Sequence, residues 1–229
     1  MSAKTYLKNI CEKIERVFGT TLRNYSTPLE ASYHPELDNS ELLDDEETSK
    51  YRMLTGSLNW AVTIGRVDVM FTATTMARYN HASRMGHVKV MLRVFGYLKY
   101  HMKGSIRFDT TYPPVPEVSA SPEYWRKLYP NAIEKIPESY PEALGKPVQL
   151  WMEFDSDHAH ALETRRSITG VLLFLNNTPV KWYCKRQSTV ETSTYGAEIN
   201  ACKTAGELVI EYRYKLRMLG VPLKDKAHV

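Results

Sequence analysis

Three carboxylates set the chemistry this sequence can attempt. Asp155 and Asp157 sit in the stretch Phe154-Asp155-Ser156-Asp157-His158, and Glu198 in Ser193-Thr194-Tyr195-Gly196-Ala197-Glu198. Mg²⁺ favours hard oxygen ligands and is usually held by one or two carboxylates together with substrate phosphate oxygens. Two such ions activate a water and stabilise the leaving oxygen when a phosphodiester is cleaved. A strand directs Asp155 and Asp157 to one face, and it would send His158 and His160 to the other, which argues against a four-residue transition-metal site. On spacing alone a plainer account stands beside the metal site: carboxylates at strand ends and on helices are commonly just solvated.

The elements that must position these groups are legible around them. Leu150, Met152 and Phe154 alternate with Trp151 and Glu153, which is strand spacing. Val171–Leu175 is a continuous apolar run that suits a buried strand, and Asn176-Asn177-Thr178-Pro179 turns the chain into a returning strand over 180–184. Ala197, Ala201, Ala205, Leu208, Tyr212, Leu216 and Leu219 then form one helical stripe. Ser193 or Thr194 can cap that helix, and Gly220 followed by Pro222 ends it. Glu198 falls in its first turns, at the edge of the buried face.

The blocks Phe154-Asp155-x-Asp157-His158-Ala159, Thr164-Arg165-Arg166-Ser167-x-Thr169-Gly170, Trp182-Tyr183-x-Lys185-Arg186-Gln187 and Ser193-Thr194-x-x-Ala197-Glu198 occur in that order within about fifty residues. Together they resemble the ribonuclease H region of copia-type LTR-retrotransposon Pol polyproteins. The resemblance implies hydrolysis of the RNA strand of RNA–DNA hybrids, with Asp155 and Glu198 as catalytic metal ligands and Asp157 at the family's second aspartate. It implies two Mg²⁺ ions, with Mn²⁺ as a substitute. The implied partners are a hybrid duplex and the rest of the Pol polyprotein, and the implied location is intracellular, in the cytoplasm, a virus-like particle or the nucleus.

The N-terminal half extends the likeness. Leu7, Ile10, Cys11, Ile14, Val17 and Phe18 predict a helix ending at Gly19, and further helical spacing runs through Met53–Val62, Val67–Tyr79 and Val88–Tyr100, with Gly86 in the break before the last. Tyr51-Arg52-x-Leu54-x-Gly56-x-Leu58, Arg66-x-Asp68, Gly86-His87 and Leu92-Arg93-Val94-x-x-Tyr97-Leu98-Lys99 are similar to the thumb and connection region of the same polyprotein. Val67 stands where that family commonly has proline. Gly56 and Gly65 read as helix-packing and turn residues, since no glycine-rich phosphate loop is present.

Charge is unevenly placed along the 229 residues, which carry a net charge of +4. From Glu30 to Lys50 there are eight acids and one base; from Tyr51 to Arg107 there are nine Lys/Arg and one acid, Asp68. A basic block suits a phosphate backbone, and it equally suits a surface that merely stays soluble. The candidate nucleic-acid contacts are Arg78, Lys89, Arg93, Lys99, Lys103, Arg165, Arg166, Lys185 and Arg186. Cys11, Cys184 and Cys202 are scattered and odd in number, which predicts reduced, mostly buried thiols and no zinc site. No stretch has the length of a membrane span.

The expected architecture is α/β: a helical thumb/connection region over 1–110, a proline-rich tether over 111–147, and over 148–229 an incomplete ribonuclease H-like mixed sheet with its long helix. Eight of the twelve prolines lie in that tether, where Tyr124, Trp125, Leu128 and Tyr129 offer one short amphipathic turn. The polymerase palm has no counterpart here. Nor does the family's third metal aspartate, borne on a strand that lies parallel beside the first one. Asp225 falls too near the helix end to begin that strand. The expectation is therefore an exposed edge over residues 148–156 and a site short of ligands. The alternative to a nuclease fragment is a non-catalytic nucleic-acid-binding remnant or a pseudogene product.

Overall fold

The computed structural model describes residues 1–114, 122–131, 134–224 and 227–228. Helices dominate the N-terminal half, a three-stranded antiparallel sheet follows, and a long helix comes last. The helices are α1 (Lys4–Phe18), α2 (Asp45–Thr63), α3 (Met70–Ala77), α4 (Met85–Tyr100), α5 (Pro122–Leu128) and α6 (Thr194–Met218). The strands are β1 (Leu150–Asp157), β2 (Ile168–Leu175) and β3 (Thr178–Arg186), in the order β1-β2-β3. Contacts divide the chain into two compact units, each built from separated segments. The first contains Met1–Phe108, Asp155–Val171 and Trp182–Ala201; the second contains Asp109–Phe154, Leu172–Lys181 and Cys202–Val229.

In the first unit the predicted stripe of α1 is buried at Leu7, Ile10, Cys11 and Ile14, and Gly19 closes the helix with φ 58°. That left-handed geometry is cheap only for glycine. Helix α2 begins earlier than its apolar spacing indicated, because the acidic run supplies the start. Asp44 accepts from the Glu47 N–H while the Glu47 side chain reaches back to the Asp44 N–H, and Asp45, Glu46 and Glu47 occupy the positive end of the helix. Tyr51, Leu54, Leu58, Met76, Met91, Phe95 and Leu98 are fully buried in the core.

Two glycine readings change. Gly86 lies inside α4, not in a break, and a Cβ there would stand 1.9 Å from Asp38 Oδ2. Gly56 is not a packing residue, since nothing lies within 4 Å of a Cβ at that position. Gly96 does the close packing, because a Cβ would meet the Arg23 carbonyl oxygen at 2.1 Å. Gly65 is a turn residue as expected, with φ 108°.

A buried arginine and a partly exposed aspartate link the α2–α3 connection to α4. Arg66 is 2 % exposed and holds Asp68 through Nε and Nη2 at 2.9 and 2.6 Å, while the Tyr97 hydroxyl donates to the same carboxylate at 2.8 Å. Burial alone would push the Asp68 carboxyl up, but the Arg66 guanidinium and the Tyr97 hydroxyl outweigh it and hold it below its usual value.

In the second unit, Asn176 takes φ 52° and with Asn177 makes the tight β2–β3 turn, so Pro179 falls inside β3. The Asn176 side chain accepts from the Gln149 N–H at 2.9 Å and donates to the Thr110 carbonyl at 2.9 Å. Indole stacks on phenyl at Trp151 and Phe174, with ring centroids 4.2 Å apart. The proline-rich segment contains α5, where Tyr124, Leu128 and Tyr129 are largely exposed while the Trp125 side chain lies outside the described residues; Glu134 pairs with Arg213 and Arg217.

The expected bare edge over 148–156 is covered in part, from Val148 to Met152. After α6, Gly220 (φ 68°) turns the chain, which then runs parallel to β1, with bridges Val148–Leu223 and Trp151–His228. The Val148 N–H donates to the Pro222 carbonyl at 2.9 Å, Lys224 N–H to Val148 at 3.0 Å, and Met152 N–H to His228 at 2.9 Å. A helix that stops in a left-handed glycine turns the chain back at once, so few residues suffice to reach that edge. Asp225 itself lies outside the described residues. Leu219, placed by spacing on the buried stripe of α6, is 76 % exposed because the helix has already ended.

Two predictions follow from the packing. Gly96→Ala should destabilise the protein by about 1–3 kcal/mol through overpacking, whereas Gly56→Ala should stabilise it by up to about 1 kcal/mol through helix propensity; urea unfolding of both variants checks the opposite signs. Asp68 is held below its usual value, so its contribution is complete above about pH 4 and is lost as pH falls through its lowered value in the folded protein. Asp68→Asn should therefore flatten the loss of stability between about pH 5 and pH 2, read from thermal midpoints across that range.

Candidate functional site

Gln187 brings the motif blocks together. It is 6 % exposed, and its backbone N–H donates to the Ser167 carbonyl at 2.8 Å. Its side-chain amide donates to Thr169 Oγ1 and to the Ala197 carbonyl, both at 3.0 Å. One residue thus joins the end of β3 to the start of β2 and to the first turn of α6. Ser193 caps α6 through Oγ, which accepts from the Gly196 N–H at 3.0 Å.

This arrangement sets both expected catalytic carboxylates in the first unit. Asp155 is exposed near the end of β1, and its Oδ1 accepts from the Ser156 N–H at 2.9 Å. Glu198 is half-buried, one residue beyond the fully buried Ala197. Asp157 is exposed on the same face of β1 as Asp155.

Asp157 is engaged elsewhere. Strand parity fails after it because the chain leaves β1 at His158 and Ala159 adopts φ 53°. His160 therefore turns back, and its Nδ1 lies 2.6 Å from Asp157 Oδ2. The His160 ring stacks on His34 with centroids 5.3 Å apart and meets Phe71 edge-on at 5.1 Å. Glu36 completes the cluster, 3.4 Å from His34 Nδ1 and accepting from the Leu162 N–H at 2.9 Å. Neither His34 nor Glu36 carries a local motif, since only tertiary contact joins residues so far apart in sequence.

Among the described residues, no group of three or more His, Cys, Asp or Glu side chains is placed to hold a metal ion. Asp155 and Glu198, with Asp157 engaged by His160, are too few of the described carboxylates to complete by themselves the two-ion Mg²⁺ or Mn²⁺ centre that the resemblance implies.

The basic candidates separate into paired and unpaired groups. Arg93 bonds Glu30 at 2.9 Å, and Lys99 bonds Glu15 at 2.7 Å. Lys99 and the Leu22 N–H hold the Glu15 carboxyl below its usual value. Lys89, Lys103, Arg165 and Lys185 are exposed, whereas Arg78, Arg166 and Arg186 are half-buried. Arg165 has φ 53° in the β1–β2 connection. The thiols also differ from expectation: Cys11 is buried and pushed up to about 11 by that burial, Cys184 is half-buried, and Cys202 is exposed.

The chain is similar to an uncharacterized mitochondrial protein of Arabidopsis thaliana, 27% identical over 184 residues that make up 80% of this chain and 61% of that protein. The chain thus matches less than two thirds of that relative's length. It matches no protein-family model and no solved structure.

Gln187→Ala removes two buried hydrogen bonds at once and should cost about 2–3 kcal/mol, while exposed Lys185→Ala should change stability by no more than about 0.5 kcal/mol. Chemical denaturation of the pair measures both. A Gln187→Ala protein as stable as its parent would remove the residue from its joining role.

Proposed function

We propose that the chain is a piece of a retrotransposon-type Pol polyprotein that holds an RNA–DNA hybrid, with Asp155 and Glu198 as two ligands of a ribonuclease H-type site. The observation that carries this reading is topological. A β1-β2-β3 antiparallel meander leads into a long helix, and the chain after that helix lies parallel along the free edge of β1. The meander and long helix agree with the incomplete sheet that the resemblance implies, and the parallel pairing beyond Gly220, where a bare edge was expected, adds support to the reading. The likeness to the Arabidopsis protein is distant and adds only that a related sequence exists.

Binding, not cleavage, is the activity proposed for this chain alone. Two cations held close together need several anionic ligands against their mutual repulsion. The described residues offer Asp155 and Glu198, while Asp157 is tied to His160. The exposed cations Lys89, Lys103, Arg165 and Lys185 are the proposed backbone contacts. Arg93 and Lys99 contribute less in this reading, because Glu30 and Glu15 already neutralise them.

Fluorescence anisotropy with a labelled hybrid of about 20 base pairs, titrated across salt, tests the binding. Affinity should fall steeply with salt, and the Lys89→Glu/Lys103→Glu protein should lose about two from the log–log slope. An unchanged slope would take the nucleic-acid role from this surface. With Mg²⁺ present, hybrid cleavage should stay at background. Cleavage that disappears in Asp155→Asn and Glu198→Gln would make the chain a nuclease in its own right and overturn the binding-only assignment.

A further inference from the structure

Three arginines that have no carboxylate partner among the described residues stand on neighbouring segments of the first unit. Arg78 stands at the C-terminal cap of α3, Arg166 just before β2, and Arg186 at the last position of β3. The Arg186 guanidinium is repelled by those of both Arg78 and Arg166. None of the three forms an ion pair among the described residues. The segments that bring them together are fixed independently: Thr74 Oγ1 of α3 donates to the Cys184 carbonyl of β3 at 3.1 Å, and Gln187 holds the Ser167 carbonyl.

Two donors in this cluster are buried and unsatisfied. Arg78 Nη1 and the Tyr79 hydroxyl are shielded from solvent and have no hydrogen-bond partner. The Arg78 guanidinium lies 5.7 Å from the centre of the Tyr79 ring, which is itself held 4.4 Å from His87. An unpaired buried donor costs about 1–3 kcal/mol, and like charges in a partly desolvated site add repulsion. A protein keeps such an arrangement when a ligand supplies the missing acceptors. The nearby acids do not fill that role: Glu36 accepts from the Leu162 N–H and lies against His34, and Glu163 is exposed.

We propose that Arg78, Tyr79, Arg166 and Arg186 form a seat for one phosphate group. Arginine forks match tetrahedral oxyanions geometrically and pair with them more strongly than with neutral acceptors. A phosphate dianion or diester would accept from the Arg78 Nη1 and Tyr79 donors while cancelling the repulsion among the three cations. Burial pushes the Tyr79 hydroxyl up to about 12, so it remains a donor at neutral pH; burial, with help from like charge on Arg78 and Arg166, makes the Arg186 charge costlier, but a guanidinium stays protonated in proteins. The seat itself stands on this cluster. That the phosphate belongs to a nucleic-acid backbone rests on the hybrid-binding reading above.

The full chain is melted with sodium phosphate exchanged for sodium chloride at constant ionic strength. About 50 mM phosphate should raise the wild-type midpoint by about 2–4 °C. Arg166→Gln and Arg186→Gln should each abolish that rise, whereas Lys8→Gln, at an exposed position on α1, should retain it. Arg166 is half-buried in a loop, so its variant keeps the test open if Arg186→Gln fails to fold. No rise in the wild type, or a full rise in Arg166→Gln, would overturn the seat.

The labelled hybrid then identifies the owner of the phosphate. If it is the nucleic-acid backbone, Arg166→Gln should weaken hybrid binding about ten-fold and inorganic phosphate should compete. A phosphate-dependent rise without hybrid binding would support the seat for a free phosphate ester and sink the hybrid reading. Hybrid binding without any phosphate effect would sink the seat and leave the hybrid reading in place.

Discussion

The placement of the candidate carboxylate site rests on the buried side-chain amide of Gln187. Sheets and helices place functional groups only as well as their mutual register is fixed. Here a single buried amide sets that register, donating to Thr169 of β2 and to the first turn of α6 at Ala197. Glu198 is the next residue along the helix, so the position of that carboxylate is decided by a hydrogen bond one residue away. The same Gln187 holds Ser167 through its backbone, and the Ser167 hydroxyl accepts from the Ala159 N–H at 3.0 Å, which stabilises the turn after Asp157. The two ends of the candidate site therefore share one buried hub. Exposed carboxylates impose no packing order of their own, and the polar hub supplies it.

Electrostatics in the helical part obey a different rule. The contrast between an acidic stretch and the basic block after it looks, along the chain, like a binding surface beside a loop. In space much of it cancels. Glu15 takes Lys99, Glu30 takes Arg93, and the only acid within the basic block takes buried Arg66. Surface pairs of this kind add little stability each, but they lower the field available to a polyanion. What is left is a set of cations on exposed positions and a half-buried arginine cluster. Charge counts along the sequence could not separate these classes, because pairing partners lie up to 84 residues apart.

Local rules read the elements well and the exceptions follow from long-range contacts. The stripe of α1, the strand alternation of β1, the apolar β2 and the alanine stripe of α6 were all legible, since burial in each has a fixed period. Gly56 and Gly86 were misread for the reason that a glycine's role depends on what approaches it. Asp38 crowds Gly86 inside α4, and nothing approaches Gly56. The parallel pairing beyond Gly220 was also illegible. Its backbone hydrogen bonds need no side-chain pattern, and only the left-handed turn at Gly220 hints that the chain reverses there. At the candidate site, Asp155 and Glu198 are singled out by their blocks alone, while the claim of His160 on Asp157 requires a positive φ at Ala159 that no propensity predicts.

That last contact bears on what the site can do. A carboxylate bonded to a histidine at 2.6 Å has one strong partner already, and a divalent ion approaching Asp155 would have to compete with it for Asp157. The competition is not with an isolated imidazole. His160 is stacked on His34 and braced by Phe71, and the Glu36 that faces His34 also anchors the Leu162 N–H. Freeing Asp157 would therefore disturb a loop contact and a ring stack together, not one side-chain torsion. Asp157 in this fold serves first as a structural anion that fastens the β1–β2 connection. Asp155 accepts from the neighbouring Ser156 N–H and, among the described residues, has no histidine on its carboxylate; in the proposed function it is the aspartate left to the ion.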